Sequence, residues 1–243
     1  MLFLQKPINL SVFRFKCFDV KQEKNPLKVG TDSMLLGAFI EASGHKRALD
    51  LGAGTGVLSL MIAQKNPEIQ IDAIEIHKDG SQECRENFDS SPWTDRLTVF
   101  QGDYFEFQFQ VKYDLIFSNP PYYLDSLPSK QQSINDAKHA SIESFSSLFE
   151  IVNKTISKDG TFWLIVPFTN RETILNIAEQ NSFFPKEVIQ IHSKPSIPDV
   201  RIIFCFHLRK TIPNIYNFII RDENGSYSKT YRELTCDFHW DLF

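Results

Sequence analysis

Residues 47–56 read RALDLGAGTG. The first five predict a short buried strand, and residues 56–65 predict a helix. Three glycines at alternate positions join the two, and glycine lets a backbone turn tightly and pass close to a ligand. A dinucleotide-binding fingerprint would need its third glycine at the position of Val57. The stretch therefore predicts a strand, a loop and a helix, with a loop built for a ligand that is not a dinucleotide.

Strands and helices alternate on both sides of this unit. Further strands are predicted at 70–75, 97–101, 112–118 and 160–166, and further helices at 32–42, 78–88, 142–156 and 170–181. Such alternation is typical of a parallel sheet covered by helices on both faces. Segments 186–192 and 200–209 predict an antiparallel C-terminal edge, and residues 214–221 are a candidate for one more strand. We expect an α/β, Rossmann-like fold with a seven-stranded, mostly parallel sheet, and a cap by Thr31 or Asp32 on the first helix.

Composition narrows the functional classes. With 42% hydrophobic and 23% charged residues, the chain is neither disordered nor fibrous. A net charge of -4 means that any nucleic-acid site must be a local patch. Four cysteines without a C-x-x-C pair argue against zinc and favour a reducing compartment. No stretch reaches the roughly 18 apolar residues of a membrane span, so we expect a cytoplasmic protein without a metal or a membrane.

The pattern D-x-G-x-G-x-G, formed by Asp50, Gly52, Gly54 and Gly56, resembles motif I of the Rossmann-like methyltransferases that bind S-adenosyl-L-methionine (AdoMet). The resemblance implies that this loop packs against the methionine part of AdoMet, with Asp50 towards its ammonium group. A carboxylate at the end of the next strand, such as Glu75, can accept both ribose hydroxyls. The resemblance places Asp103 at the adenine amino group.

A second motif follows the fourth strand. Asn119, Pro120, Pro121 and Tyr122 form N-P-P-Y, which looks like motif IV of the amino-group methyltransferases. A conjugated exocyclic amine is a poor nucleophile, and two acceptors that hold its N–H groups favour tetrahedral geometry at the nitrogen. The Asn119 side-chain oxygen and the Pro120 carbonyl are the expected acceptors, and the prolines stiffen that carbonyl. Tyr122 is expected to stack on a planar target.

Two further segments resemble one family in particular. The segment KVGTD at 28–32, followed by LLGA at 35–38, and the tail YSKTYRELTCDFH at 227–239 closely resemble the tRNA1(Val) (adenine(37)-N6)-methyltransferase family. The resemblance implies methylation of adenine N6 in tRNA beside the anticodon, with Gly30 and Thr31 shaping the cofactor pocket. We expect a lead-in segment at 1–31 and a methyltransferase domain at 32–243.

A tRNA substrate needs cationic contacts on this acidic chain. The expected ones are Arg14, Lys16, Lys21, Lys24, Arg209 and Lys210. Two other functions stay open, because N-P-P-Y also occurs in enzymes that modify protein glutamine. One is a glutamine N5-methyltransferase acting on release factors, although only 49 residues precede Asp50. The other is a non-catalytic RNA-binding module.

Overall fold

The computed structural model describes residues 11–25, 28–121 and 134–239, with the side chains of the helix that begins at Ile134 described from Ile142 onward. The strands of the main sheet are β3 (Arg47–Leu51), β4 (Gln70–Glu75), β5 (Leu97–Gln101), β6 (Tyr113–Ser118), β7 (Ile156–Pro167), β8 (Phe184–His192), β9 (Asp199–His207) and β10 (Asn214–Ile219). A hairpin of β1 (Val12–Arg14) and β2 (Asp19–Lys21) precedes them. The helices are α1 (Thr31–Phe39), α2 (Val57–Lys65), α3 (Lys78–Asp89), α4 (Ile134–Thr155), α5 (Arg171–Gln180) and α6 (Lys229–Thr235).

The main sheet has the strand order β10-β8-β9-β7-β6-β3-β4-β5. All neighbouring pairs are parallel except β7 with β9 and β8 with β9. The Rossmann-like, mostly parallel α/β fold is therefore confirmed. The strand number differs from the expected seven, because Asn214–Ile219 pairs in parallel with β8 and makes an eighth strand. The antiparallel strand is β9, which lies inside the sheet between β7 and β8.

Both faces of the sheet are covered, as consecutive side chains of a strand point to opposite faces. Ala48 of β3 belongs to a core cluster shared with α1, α2 and α3. Its neighbour Leu49 belongs to the opposite cluster, which α4 and α5 close. This alternation buries β3 on both sides, so the loop that follows it starts from the rigid centre of the sheet.

The first and last described segments of the chain pack on the first of these clusters. Phe15, Phe18 and Val20 of the hairpin region are buried in it, together with Tyr231 of α6. Ser228 caps α6 by accepting a hydrogen bond from the Tyr231 N–H at 3.0 Å. The division of the chain between residues 31 and 32 stays a prediction.

Candidate active site

The glycine loop, residues 52–56, follows β3 at the carboxyl edge of the parallel strands. Gly52, Gly54 and Gly56 all have positive φ, at 78°, 56° and 79°. These values lie in the left-handed region, which side chains other than glycine rarely adopt. A Cβ atom on Gly56 would lie 2.6 Å from the Phe88 ring, so a larger residue does not fit beneath the loop. A Cβ atom on Gly52 would meet nothing within 4 Å, which leaves the other side of the loop open.

Asp50 supports this loop from inside the protein. Its side chain is fully buried and accepts a hydrogen bond from Ser59 Oγ at 2.7 Å. The second carboxylate oxygen, Oδ1, has no hydrogen-bond partner within the described ranges. Burial raises the pKa of Asp50 to about 7, although the bond from Ser59 acts in the opposite direction. A buried acceptor directly before the glycine loop is thus left without a donor among the residues that the structure describes.

Glu75 joins the end of β4 to the glycine loop. Its carboxylate is almost fully buried and accepts hydrogen bonds from the N–H groups of Gly54 at 2.8 Å and His77 at 2.9 Å. Its backbone carbonyl accepts from the Gly102 N–H at 3.0 Å. That bond places the turn that begins at Asp103 next to Glu75. The Asp103 carboxylate itself accepts from the Phe105 N–H at 2.9 Å.

The Asn-Pro-Pro segment lies beside the glycine loop because β6 and β3 are parallel neighbours. Ser118, the last residue of β6, donates a hydrogen bond from Oγ to the Leu51 carbonyl at 2.8 Å, and both residues are fully buried. Asn119 follows immediately and donates from Nδ2 to Ser33 Oγ on α1, at 3.1 Å. Two adjacent strand ends therefore present the two motifs to the same space.

These segments enclose one pocket of about 580 Å³. Its walls include Gly30 and Thr31 at the start of α1, Gly52 and Gly54 of the glycine loop, and residues 119–121. The structure thus brings together seven of the predicted site residues: Gly30, Thr31, Gly52, Gly54, Asn119, Pro120 and Pro121. Asp50 precedes the loop and Gly56 ends it, but neither lines the pocket, and Glu75 and Asp103 lie beside the loop. Tyr122 lies outside the described residues.

Helix α3 holds the lead-in segment against the glycine loop, a role that the sequence did not reveal. The buried Glu83 carboxylate accepts hydrogen bonds from three successive backbone N–H groups, those of Glu23, Lys24 and Asn25. One turn later, Asn87 Oδ1 accepts a hydrogen bond from the Lys21 N–H at 2.8 Å. Its Nδ2 donates to the Lys21 carbonyl at 3.0 Å and to the Thr55 carbonyl at 2.9 Å. Helix α3 therefore couples the lead-in segment to a wall of the pocket.

The first turn of α1 is fixed by an ion pair with strand β9. Arg201 of β9 donates from Nε to the Asp32 carboxylate at 2.9 Å. The expected cap by Thr31 or Asp32 is wrong. The helix begins one residue earlier, with Gly30 at the N-cap position and no side-chain cap, and Asp32 turns to Arg201 instead. No local sequence signal identifies Arg201, because it lies 169 residues from Asp32.

The expected RNA-binding cations lie at several places. Lys21 and Lys24 form ion pairs with Glu86. Lys16 donates to the Cys236 carbonyl, Arg209 pairs with Asp159, and Lys210 lies over the Phe184 ring.

Arg209 and Lys210 follow the antiparallel strand β9, so they lie at the edge of the sheet opposite to the pocket. Arg14 is exposed in the hairpin. The contact of these residues with RNA stays a prediction.

Neither a metal site nor a membrane-spanning helix is found in the described part of the chain. Within residues 11–25, 28–121 and 134–239, no group of three His, Cys, Asp or Glu side chains could hold a metal ion. None of the helices among these residues is long and apolar enough to cross a membrane.

Comparison with known proteins agrees with this architecture. Residues 26–176 match the family described as the methyltransferase small domain. A solved structure described as a predicted O-methyltransferase from Agrobacterium tumefaciens superposes with a TM-score of 0.65, at 16% identity, over 85% of this chain and 96% of that one. A glycopeptide N-methyltransferase solved with AdoMet gives a TM-score of 0.55 at 11% identity, over 76% of this chain and all of that one. Fold and site together define a Rossmann-like methyltransferase.

Relatives with higher sequence identity than these structures show which family of methyltransferases the chain belongs to. A tRNA1(Val) (adenine(37)-N6)-methyltransferase from Flavobacterium psychrophilum is 32% identical over 94% of this chain and 99% of its own length. The protein of the same name from Parabacteroides distasonis is 34% identical over 93% of this chain and 97% of its own length. The chain belongs to the tRNA1(Val) (adenine(37)-N6)-methyltransferase family.

Proposed function

We propose that this chain transfers a methyl group from AdoMet to N6 of adenine 37 in tRNA1(Val). The observation that carries the proposal is the common pocket of the glycine loop and Asn119. Parallel strands place their carboxyl ends at one edge, where ligands of such sheets bind. Family membership supports the choice of an adenine in tRNA as the target. A tRNA substrate also favours a cytoplasmic location.

The residues around the glycine loop fit AdoMet. The pocket volume of about 580 Å³ lies within the range of small-molecule sites. The open side of Gly52 and the orphaned Oδ1 of Asp50 suit the amino-acid part, whose ammonium group is a donor. Glu75 stands at the strand end where a ribose would be held, and Asp103 follows on the next strand. When bound, AdoMet would supply the sulfonium methyl group for the transfer.

Residues 119–122 would act on the target amine. The Asn119 amide oxygen and the Pro120 carbonyl accept the two N–H groups of the adenine amine, so that its lone pair points at the methyl group. Transfer from AdoMet would form the N–C bond while the C–S bond breaks, with the electrons of that bond going to sulfur and one amine proton going to solvent. This catalysis consists of positioning and electrostatics, without a covalent enzyme intermediate. Tyr122 would stack on the base, as enzymes that modify bases generally do.

The substrate is tested with RNA transcripts that differ at one position. The protein is incubated with AdoMet and a tRNA1(Val) transcript that carries either adenine or guanine at position 37, and the nucleosides are analysed by mass spectrometry. We expect one N6-methyladenosine per adenine-37 transcript and none with guanine 37. Equal methylation of the two transcripts would contradict the assignment of the position.

A parallel incubation tests the glutamine alternative. A release factor replaces the RNA under the same conditions, and the intact protein mass is recorded. We expect no mass increase. A gain of one methyl group on the release factor, with unmodified tRNA, would assign the site to protein glutamine instead.

A further inference from the structure

Ser33 is in contact with Asn119 although no motif includes it. The two residues are 86 positions apart, and the Asn119 Nδ2 atom lies 3.1 Å from Ser33 Oγ. Both residues line the pocket. A serine hydroxyl in the first turn of α1 therefore contacts the amide of the catalytic motif on the side of its nitrogen.

The chemistry of the amide makes this contact consequential. A carboxamide has a donor end and an acceptor end of almost the same shape, so its orientation is set by its hydrogen-bond partners. The proposed reaction needs the oxygen end towards the adenine amine, because the amine presents two donors. In the reversed orientation, the Asn119 nitrogen would direct its own donors at those of the amine. In the structure Ser33 Oγ accepts from Nδ2, and this contact holds the nitrogen end of the amide at α1, which is the orientation that the proposed reaction needs.

The Ser33 hydroxyl is held in place by its own element. The neighbouring Asp32 forms an ion pair with Arg201, and both side chains are about three-quarters buried. This pair joins the first turn of α1 to β9. Ser118 fixes the other partner, because its bond to the Leu51 carbonyl holds the end of β6 directly before Asn119. The distance between Ser33 and Asn119 is thus set by two rigid elements.

We propose that Ser33 is a positioning residue that orients the Asn119 amide for amine methylation. This inference rests on the proposed function, since it gives Asn119 the role of acceptor. Ser33 acts through Asn119 and takes no part in the transfer itself. Its loss therefore lowers kcat and leaves the affinity for AdoMet nearly unchanged.

The test compares Ser33→Thr with Ser33→Val. These variants have nearly the same size and branching, but only threonine keeps the hydroxyl. We expect Ser33→Thr to retain kcat within a factor of about three, and Ser33→Val to lose about tenfold, as for a lost positioning hydrogen bond. AdoMet affinity by calorimetry and the melting temperature should agree between the two. An equal kcat for both variants would overturn the inference.

A double-mutant cycle with Asn119→Ala adds a second criterion. If Ser33 acts only through Asn119, Ser33→Val should lower kcat in the wild-type background but not in the Asn119→Ala background. A further tenfold loss in the double variant would show that Ser33 acts independently, and the inference would fail. A normal kcat for Asn119→Ala itself would instead overturn the proposed function, so the two failures can be told apart.

Discussion

Ser118 Oγ donates a hydrogen bond to the Leu51 carbonyl at 2.8 Å, joining the last residue of β6 to the last residue of β3. Leu51 immediately precedes the glycine loop, and Ser118 immediately precedes Asn119. One buried bond therefore sets the spacing between the part of the site assigned to the methyl donor and the part assigned to its acceptor. In a reaction that depends on positioning, that spacing matters as much as the groups themselves.

Ser118→Ala should destabilise the protein and slow the reaction. The change removes a buried donor and leaves the Leu51 carbonyl without it, which costs about 1–3 kcal/mol. Urea denaturation measures the loss, and kcat should fall with it. Ser90→Ala is the matched control, because Ser90 Oγ also bonds a backbone carbonyl, that of Glu86, at an exposed position. If both variants lose the same unfolding free energy and kcat, the bond from Ser118 to Leu51 does not set the spacing of the site.

Glu83→Gln should weaken both folding and AdoMet binding. The carboxylate accepts from three backbone N–H groups, and an amide has only one oxygen and introduces a donor that faces them. Hydrogen bonds to a charged group are worth about 1.5–3 kcal/mol each, so we expect a loss within that range for the variant. Because the anchored segment leads to Gly30 in the pocket wall, the Kd for AdoMet should also rise severalfold.

The control for this change lies one turn along the same helix. Glu86 pairs with Lys21 and Lys24 on the surface, where ion pairs contribute little. Glu86→Gln should therefore leave AdoMet binding unchanged. If Glu83→Gln binds AdoMet as well as Glu86→Gln does, the attachment to α3 does not shape the pocket.

Asp50 should make stability depend on pH. Burial raises its pKa to about 7 in the folded chain, whereas an unfolded aspartate ionises near pH 4. Between these values the folded state holds a proton that the unfolded state has lost, so stability falls as pH rises from about 4 to 7 and levels off above 7.

Asp50→Asn should remove this contribution. From pH 5 to pH 7, the wild type should lose about 2 kcal/mol of unfolding free energy relative to the variant, at 1.36 kcal/mol per pKa unit. Urea denaturation at four pH values between 5 and 8 measures it. A difference that is independent of pH would place the Asp50 pKa outside this window.

The strands around the glycine loop were predictable because their signals are local. The predicted strands at 47–51, 70–75 and 97–101 coincide with β3, β4 and β5. Each is a short segment built around apolar residues, and such a segment needs no distant partner to be recognised. The position of β9 inside the sheet was not predictable in this way, because it depends on pairing with both β7 and β8.

Only those residues of the site that belong to a short sequence motif were predictable. The glycine loop and Asn119 stand in short patterns, and the parallel sheet brings them together. Ser33, Glu83 and Arg201 act through contacts with residues 58 to 169 positions away. Helix α6 has a local signal, the Ser228 cap, but its seven residues are few for a periodic pattern.

The most direct test of the central claim measures binding and transfer separately in one variant. Wild-type protein and Asn119→Ala are each titrated with AdoMet by calorimetry, and single-turnover transfer of a labelled methyl group to tRNA1(Val) is then timed. We expect AdoMet affinities within about threefold and a transfer rate at least about a hundredfold lower in the variant, as for a lost electrostatic acceptor. Equal transfer rates, or wild-type protein that binds no AdoMet, would contradict the account.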